Sequence, residues 1–369
     1  MPRSDYARLC ADWGAETTMN TAILQAAQHD LAGRHDDAIN ALARATQAGD
    51  VNAMTELGKR LVIGDRAPLL PQDGAQFLVD AAKAGHADAA LKLATLTALG
   101  AYVEQSWGEA LGLLAFAAVR GSVSARGQLE ALSGQRAPVA AGDGEWRRLA
   151  EHVDLRFWST APLGTTMCAS PLVRVFPEFV TDSVCDWLIE QARPNLKRAL
   201  IYDPVGGKDI ADHMRTNSAA GFDLMHADLV QIAVQMRMGA ATGLPLHNME
   251  GPTILHYAPG EEITNHYDFV NPRIPNYQAE IDKRGQRIVT FLVYLNDDYE
   301  GGETDFPDLL LRYHGGKRAG LFFTNALPNG EPDLRMVHAG LPPKDKEKWI
   351  VSQFIRNRVA LGARAENQA

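Results

Sequence analysis

Cysteine is scarce in this chain of 369 residues: Cys10, Cys168 and Cys185 are the whole supply. Three thiols so widely scattered exclude a disulfide framework and a zinc knuckle, and leave a reducing cytoplasm as the simplest compartment. No apolar run approaches the ~20 residues that a membrane-crossing helix requires. The opening Met1-Pro-Arg-Ser-Asp-Tyr-Ala-Arg8 lacks the apolar core of a secretion signal. Positive charge is short as well. A net charge of −9 argues against nucleic acid as a partner, and neither the first 140 residues nor the remainder is basic. Short basic groups at Lys283, Arg284, Arg287 and at Arg312, Lys317, Arg318 read as solvated loop faces.

What is present is enough for two domains, since single cores stop growing near ~250–300 residues. The first 130 residues are rich in Ala and Leu and read as helical throughout. They also repeat. Ala-Thr-Gln-Ala-Gly-Asp-Val-Asn-Ala at 45–53 returns at 81–89 and 117–125 in altered form, placing Gly49, Gly85 and Gly121 at a fixed period of 36. That period belongs to stacked helix–turn–helix repeats, with Gly closing helices and Ala allowing close packing. Gly58, Gly64 and Gly100 read as turns within the repeats.

A Gly/Pro/Ala linker runs from Ser133 to Gly144, followed by a helix from Glu145 to about Phe157 and an irregular Pro/Gly/Thr stretch to Ser170. Helices are expected over Thr181–Glu190 and Leu229–Met238. Strands are expected over Pro171–Phe176, Thr253–Tyr257, Arg287–Leu295, Ala319–Thr324 and Trp349–Ile355, a pattern of short strands that suggests a β-sandwich or jelly roll. The domain boundaries that follow are 1–135 for the repeats, 136–170 for linker and connecting helix, 171–360 for the strand-rich domain, and 361–369 for a disordered tail.

His-x-Asp with a distant His is the pattern of a mononuclear iron site with three positions left open. The dyad alone says little, because five of the eleven histidines satisfy it: His35, His86, His152, His226 and His266. On a helix, residues i and i+2 point about 200° apart, whereas on a strand they share a face. The first four fall in helical context; only His266-Tyr-Asp268 follows a strand and a turn, Ala258-Pro-Gly-Glu261. His338, 72 residues beyond His266, is preferred as the third ligand over His314, which sits in a turn. His256 is another rival, but it and Tyr257 face opposite sides of one strand. As a bare trio the set could also hold zinc or be a coincidence of polar core residues.

Lys348 sharpens the reading. It stands where the apolar strand after His338 begins, and a buried cation needs an anionic partner. A dicarboxylate chelating the metal at one end would place its far carboxylate there. Lys344 and Lys346 look solvated.

Residues ~171–357 resemble the catalytic domain of prolyl 4-hydroxylase-type 2-oxoglutarate/Fe(II) oxygenases. The resemblance is carried in order by Phe179–Cys185, Arg215-Thr-Asn-Ser218, Tyr257-Ala-Pro-Gly260, His266-Tyr-Asp268, Tyr294-Leu-Asn296, Gly301-Gly-Glu-Thr304-Asp-Phe-Pro307, Gly320–Asn325, His338-Ala-Gly340 and Lys348-Trp349. Residues ~18–135 resemble Sel1-like repeats, relatives of the tetratricopeptide family. Together they imply an α-solenoid followed by a double-stranded β-helix (jelly-roll) oxygenase domain with flanking helices. The resemblance assigns Fe(II) to His266, Asp268 and His338, the distal carboxylate of 2-oxoglutarate to Lys348, and neighbouring pocket roles to Tyr294 and Tyr257. It places Arg215 near substrate, with a structural ion pair as the competing role. Where relatives often carry a second pocket tyrosine, three residues before the first iron-binding His, this chain has Ile263. An aspartate at 268 favours hydroxylation, since halogenating relatives have a small residue there. The long connection Phe269–Gly285 reads as a loop over the substrate, with Arg273 and Tyr277 as contacts.

The implied reaction consumes O2 and 2-oxoglutarate, releases succinate and CO2, and hydroxylates a protein or peptide residue, proline by family default. Ascorbate enters as a possible reductant. The helical repeats then recruit substrate or a partner protein, or simply cap the other domain. A hydroxylase of a free amino acid or other small molecule, with repeats used for oligomerisation, is the alternative. A non-catalytic adaptor or 2-oxoglutarate sensor is a third. Neither the substrate nor the oligomeric state is written in the sequence.

Overall fold

The computed structural model describes residues 21–203, 208–274, 277–327 and 329–358. Residues 1–20, including Cys10, and the tail expected at 361–369 lie outside the described residues. The chain forms two compact units divided between Leu93 and Ala94, inside the repeat region. No described helix is long and apolar enough to cross a membrane.

The first unit contains helices α1 (Thr21–Leu31), α2 (His35–Gln47), α3 (Val51–Ile63), α4 (Pro71–Lys83) and the start of α5 (Ala87–Leu99). Ala26, Ala38 and Ala53 are buried beside Leu42, Leu57 and Leu61. Gly49 and Gly85 end helices at φ +88° and +96°, and Gly121 repeats the conformation at +95° in the second unit. These are left-handed values that glycine adopts at least cost. Gly64 and Gly100 are turns of the same kind. Gly58 corrects the expectation of a turn: it lies inside α3, where a Cβ would come 2.9 Å from the Gly74 carbonyl oxygen. It serves close helix crossing.

In the second unit, α6 (Trp107–Val119) and α7 (Val123–Ser133) precede α8 (Asp143–Glu151) and α9 (Leu155–Ser159). The single helix expected from Glu145 to Phe157 is therefore two. The Asp154 side chain accepts from the Phe157 amide at 3.0 Å and starts a new helix. Helix α7 is welded to the sheet-bearing core. A Cβ on Gly127 would overlap the Trp187 ring of α10 (Asp182–Ala192). Ser183 Oγ donates to the Ala131 carbonyl at 2.9 Å. The Leu229 amide at the start of α11 (Leu229–Thr242) donates to Gln128 Oε1 at 3.0 Å.

Two antiparallel sheets face each other. The larger contains β1 (Thr165–Ala169), β2 (Leu172–Phe176), β3 (Lys197–Arg198), β6 (Ser218–Gly221), β7 (Thr253–Tyr257), β9 (Arg287–Tyr294), β12 (Gly320–Thr324) and β14 (Lys348–Arg356), in the order β1-β2-β12-β9-β14-β7-β6-β3. The smaller contains β8 (Ile263–His266), β10 (Thr304–Phe306), β11 (Leu311–Tyr313) and β13 (His338–Gly340), in the order β11-β10-β13-β8. A separate hairpin pairs β4 (Ile201–Asp203) with β5 (Lys208–Ile210). Strand β1 lies in the stretch read as irregular.

Leu255, Tyr257, Leu292, Tyr294, Leu321, Phe323 and Ile350 fill the space between the sheets, while Phe291 and Phe322 on the reverse face stack with Phe176. With both faces covered, β9 and β14 are buried along nearly their whole length, and β9 is a nearly continuous apolar run. The connection 269–285 is not loop throughout: α12 (Tyr277–Arg284) occupies its second half. Nor is Arg287 a solvated loop cation. It makes two hydrogen bonds to Glu250, at 2.7 and 2.9 Å.

Candidate functional site

Strand pairing assembles the site. β8 and β13 are neighbours, and their register sets His266 directly opposite His338. Gly340 pairs with Ile263, so between the two pairs Thr264 and Asn265 of β8 oppose the single Ala339 of β13. That irregularity explains how Ile263 and His266, three apart, both turn toward the inter-sheet space. Ile263 packs against the core cluster holding Tyr257 and Tyr294.

Each imidazole has its orientation fixed the same way. His266 Nδ1 contacts the Thr264 carbonyl at 2.8 Å, and His338 Nδ1 contacts the Met336 carbonyl at 3.0 Å. A carbonyl only accepts, so both Nδ1 atoms carry a proton and each ring turns its Nε2 inward as the atom left for a metal. Those Nε2 atoms converge on Asp268: His266 Nε2 lies 3.4 Å from Oδ1 and His338 Nε2 lies 3.2 Å from Oδ2. The three donor atoms all fall within 4.8 Å of one another. Burial works against charge on Asp268, but His338 and His266 outweigh it and hold the carboxyl well below its ordinary range. Two imidazoles and one carboxylate, with their outer atoms already hydrogen-bonded, fit a divalent first-row metal.

Lys348 is completely buried. Its register partner is Tyr257, and its Nζ donates to the Gly302 carbonyl at 2.7 Å. The rings of Tyr257 and Tyr294 lie 5.0 and 5.7 Å away. No described carboxylate forms an ion pair with it, and burial pushes its amine down to about 7, with Glu303 pulling the other way. Gly302, at φ +68°, leaves room for the Tyr299 ring and the lysine stem. Tyr294 Oη bonds Thr304 Oγ1 at 2.7 Å. The Tyr257 hydroxyl is pushed up to about 12 by burial and remains a phenol.

Arg215 borders this neighbourhood, its backbone bridging to Ile263, which packs against the cluster holding Tyr257. It donates to Asn217 Oδ1 at 3.2 Å and the Leu200 carbonyl at 3.4 Å, and among the described residues it forms no ion pair. Arg273 is exposed in a turn whose backbone amide donates to Asn271 Oδ1, and Tyr277 opens α12 partly buried.

The rival histidines are engaged elsewhere. His35 contacts Asp30, His86 contacts Thr55 and Asn52, His152 the Arg148 carbonyl, and His226 Asp223. His314 stacks on Tyr299. His256 meets Glu347 at 3.0 Å and, with Trp349, lines a cavity of about 590 Å³ on the opposite side of β7 and β14 from Tyr257 and Lys348. Three residues went unread in the sequence: Thr290 and Asn325, which form a hydrogen-bonded chain to Asp268, and Gln286, which grips the Val270 backbone. Only Thr290 carried a signal, as a polar residue within the run Ile288–Val293.

The family model of the 2OG-Fe(II) oxygenase superfamily matches residues 252–356. Probable prolyl 4-hydroxylase 8 of Arabidopsis thaliana is 31% identical over 203 residues, covering 50% of this chain and 68% of that protein. Probable prolyl 4-hydroxylase 7 of the same plant is 29% identical over 209 residues, and the match spans 52% of this chain but only 64% of that relative's length. Among solved structures, viral collagen prolyl hydroxylase from Paramecium Bursaria Chlorella virus-1, in its 2OG complex, is 27% identical over 50% of this chain and 94% of its own, with a TM-score of 0.39. A Sel1 repeat protein from Oxalobacter formigenes is 23% identical, covering 36% of this chain and 56% of its own, with a TM-score of 0.29. The family model spans the residues in which strand pairing gathers two histidines, an aspartate and a buried lysine, and by its match to probable prolyl 4-hydroxylase 8 the chain belongs to the 2-oxoglutarate/Fe(II)-dependent oxygenase superfamily, with the prolyl 4-hydroxylases.

Proposed function

We propose that this protein is an Fe(II)- and 2-oxoglutarate-dependent dioxygenase that hydroxylates a peptidyl residue, proline by the names of its relatives, with O2 as oxidant and succinate and CO2 as products. The observation that carries this reading is Lys348: a fully buried lysine amine with no carboxylate partner among the described residues, paired in register with Tyr257 of the core between the sheets.

His266, Asp268 and His338 supply the protein's three donors to the metal, and iron held there supplies the oxygen chemistry. Lys348 binds the distal carboxylate of 2-oxoglutarate, replacing a missing counter-charge. Tyr257, kept protonated by burial, offers a hydrogen-bond donor beside it, and Tyr294 shapes the same wall with its hydroxyl fixed on Thr304. Arg215, unpaired with any described acid, is available to a substrate carbonyl or carboxylate, and Arg273 and Tyr277 stand on the segment that follows Asp268. Ascorbate is the reductant that such a site would draw on, and free thiols at Cys168 and Cys185 suit a cytoplasmic setting.

The helical repeats recruit a substrate or partner protein in this reading, through the part of the solenoid not used by α7 as support. A proline-rich peptide incubated with Fe(II), 2-oxoglutarate and ascorbate should gain one oxygen per succinate formed. Succinate formation unaltered by any peptide, and stimulated instead by a free amino acid, would overturn the peptidyl assignment.

A further inference from the structure

Asp268 sits two residues past the last residue of β8, so no strand partner holds its backbone. Its carboxylate is nevertheless 7% exposed and confined. The restraint comes from the opposite sheet. Thr290, on β9, donates its hydroxyl proton to Asp268 Oδ2 at 2.7 Å. Its direction is fixed from behind: Asn325 Nδ2 donates to Thr290 Oγ1 at 2.9 Å, so the threonine oxygen accepts there and its own proton must point at the carboxylate. Both residues are 1% exposed, so water does not compete.

Asn325 is itself tied to the turn that leads into β13. Its backbone carbonyl accepts from the Asp333 amide at 3.0 Å, and the Asp333 backbone carbonyl accepts from the Met336 amide at 3.0 Å. The Met336 carbonyl is the one that orients His338. One run of hydrogen bonds therefore links the carboxylate of one candidate ligand to the imidazole of another, with Asn325 where its two branches meet.

We infer that Thr290 and Asn325 are positioning residues for the metal centre: they occupy one oxygen of Asp268, leave the other to the ion, and keep the carboxylate from taking a second coordination position. This rests on the metal site proposed above. Removing a hydrogen bond to a ligating carboxylate typically weakens metal binding about 10- to 100-fold.

The full-length protein, stripped of metal, is titrated with Mn(II), and binding and thermal melting are followed in wild type, Thr290→Val and Thr290→Ser. Thr290→Val keeps the side-chain volume and removes the donor; Thr290→Ser keeps the donor. The expected result is at least a 10-fold rise in the Mn(II) dissociation constant for Thr290→Val, measured where the metal-free variant is still fully folded, and recovery in Thr290→Ser, which keeps the hydroxyl. Asn325→Leu should weaken binding in the same direction but less, because the Thr290 hydroxyl survives without its orienting donor. Equal affinity of wild type and Thr290→Val, or failure of Thr290→Ser to recover, overturns the inference while leaving the metal site standing. Absence of Mn(II) binding in the wild type instead overturns the metal site itself.

Discussion

His266 and His338 face each other in register across adjacent antiparallel strands, with ring centroids 4.3 Å apart. Directly opposed residues on such strands bring their side chains together without further help. The pairing of β8 with β13 thus does for two ligands what Thr290 and Asn325 do for the third.

Lys348 gives the cosubstrate site a pH dependence of definite sign. Its amine titrates at about 7 in the folded protein against an ordinary 10.5. Between those values the unfolded chain binds more protons than the folded one. The cost of burying the charge is therefore full below pH 7 and is relieved as pH rises toward 10.5. A bound dicarboxylate restores the proton, so 2-oxoglutarate affinity should fall as pH climbs above 7. Lys348→Met should weaken 2-oxoglutarate binding about 30-fold or more and abolish that pH dependence, while the ligand-free variant melts no lower than wild type. Calorimetric titration with Mn(II) present, at pH values on either side of 7, checks both. Wild-type affinity in Lys348→Met would contradict the assignment.

Gln286 closes the neck of the segment that leaves Asp268. Its Oε1 accepts from the Val270 amide and its Nε2 donates to the Val270 carbonyl, both at 2.7 Å and with Gln286 4% exposed. Gln286→Ala strands two buried backbone groups at about 1–3 kcal/mol each. Its melting temperature should drop and its Mn(II) affinity with it. An unchanged melting temperature would show that the clamp is not formed in solution.

Most of the sheet domain was legible because its strands are short, apolar and bounded by turns: β7 matches the expected span, and β9, β12 and β14 differ by a residue or so at their ends. The triad was legible for a similar reason, since only one of five His-x-Asp dyads follows a strand. What stayed hidden depends on contacts across the fold. Gly58 reads as a turn until Gly74 is seen against it. The helix after Glu145 reads as continuous until Asp154 is seen capping a second one. Helix α12 sits in a polar stretch, tied down where Glu280 meets the fully buried Arg356 of β14. Asn325 reaches Thr290 across 35 residues of sequence, and no local pattern announces such a pair.

The most direct measurement is the visible spectrum of the full-length protein under anaerobic Fe(II) and 2-oxoglutarate. A charge-transfer band should form in the wild type and be missing in His266→Ala and Asp268→Ala. No band in the wild type, or a band that survives either substitution, would contradict a metal centre built from His266, Asp268 and His338.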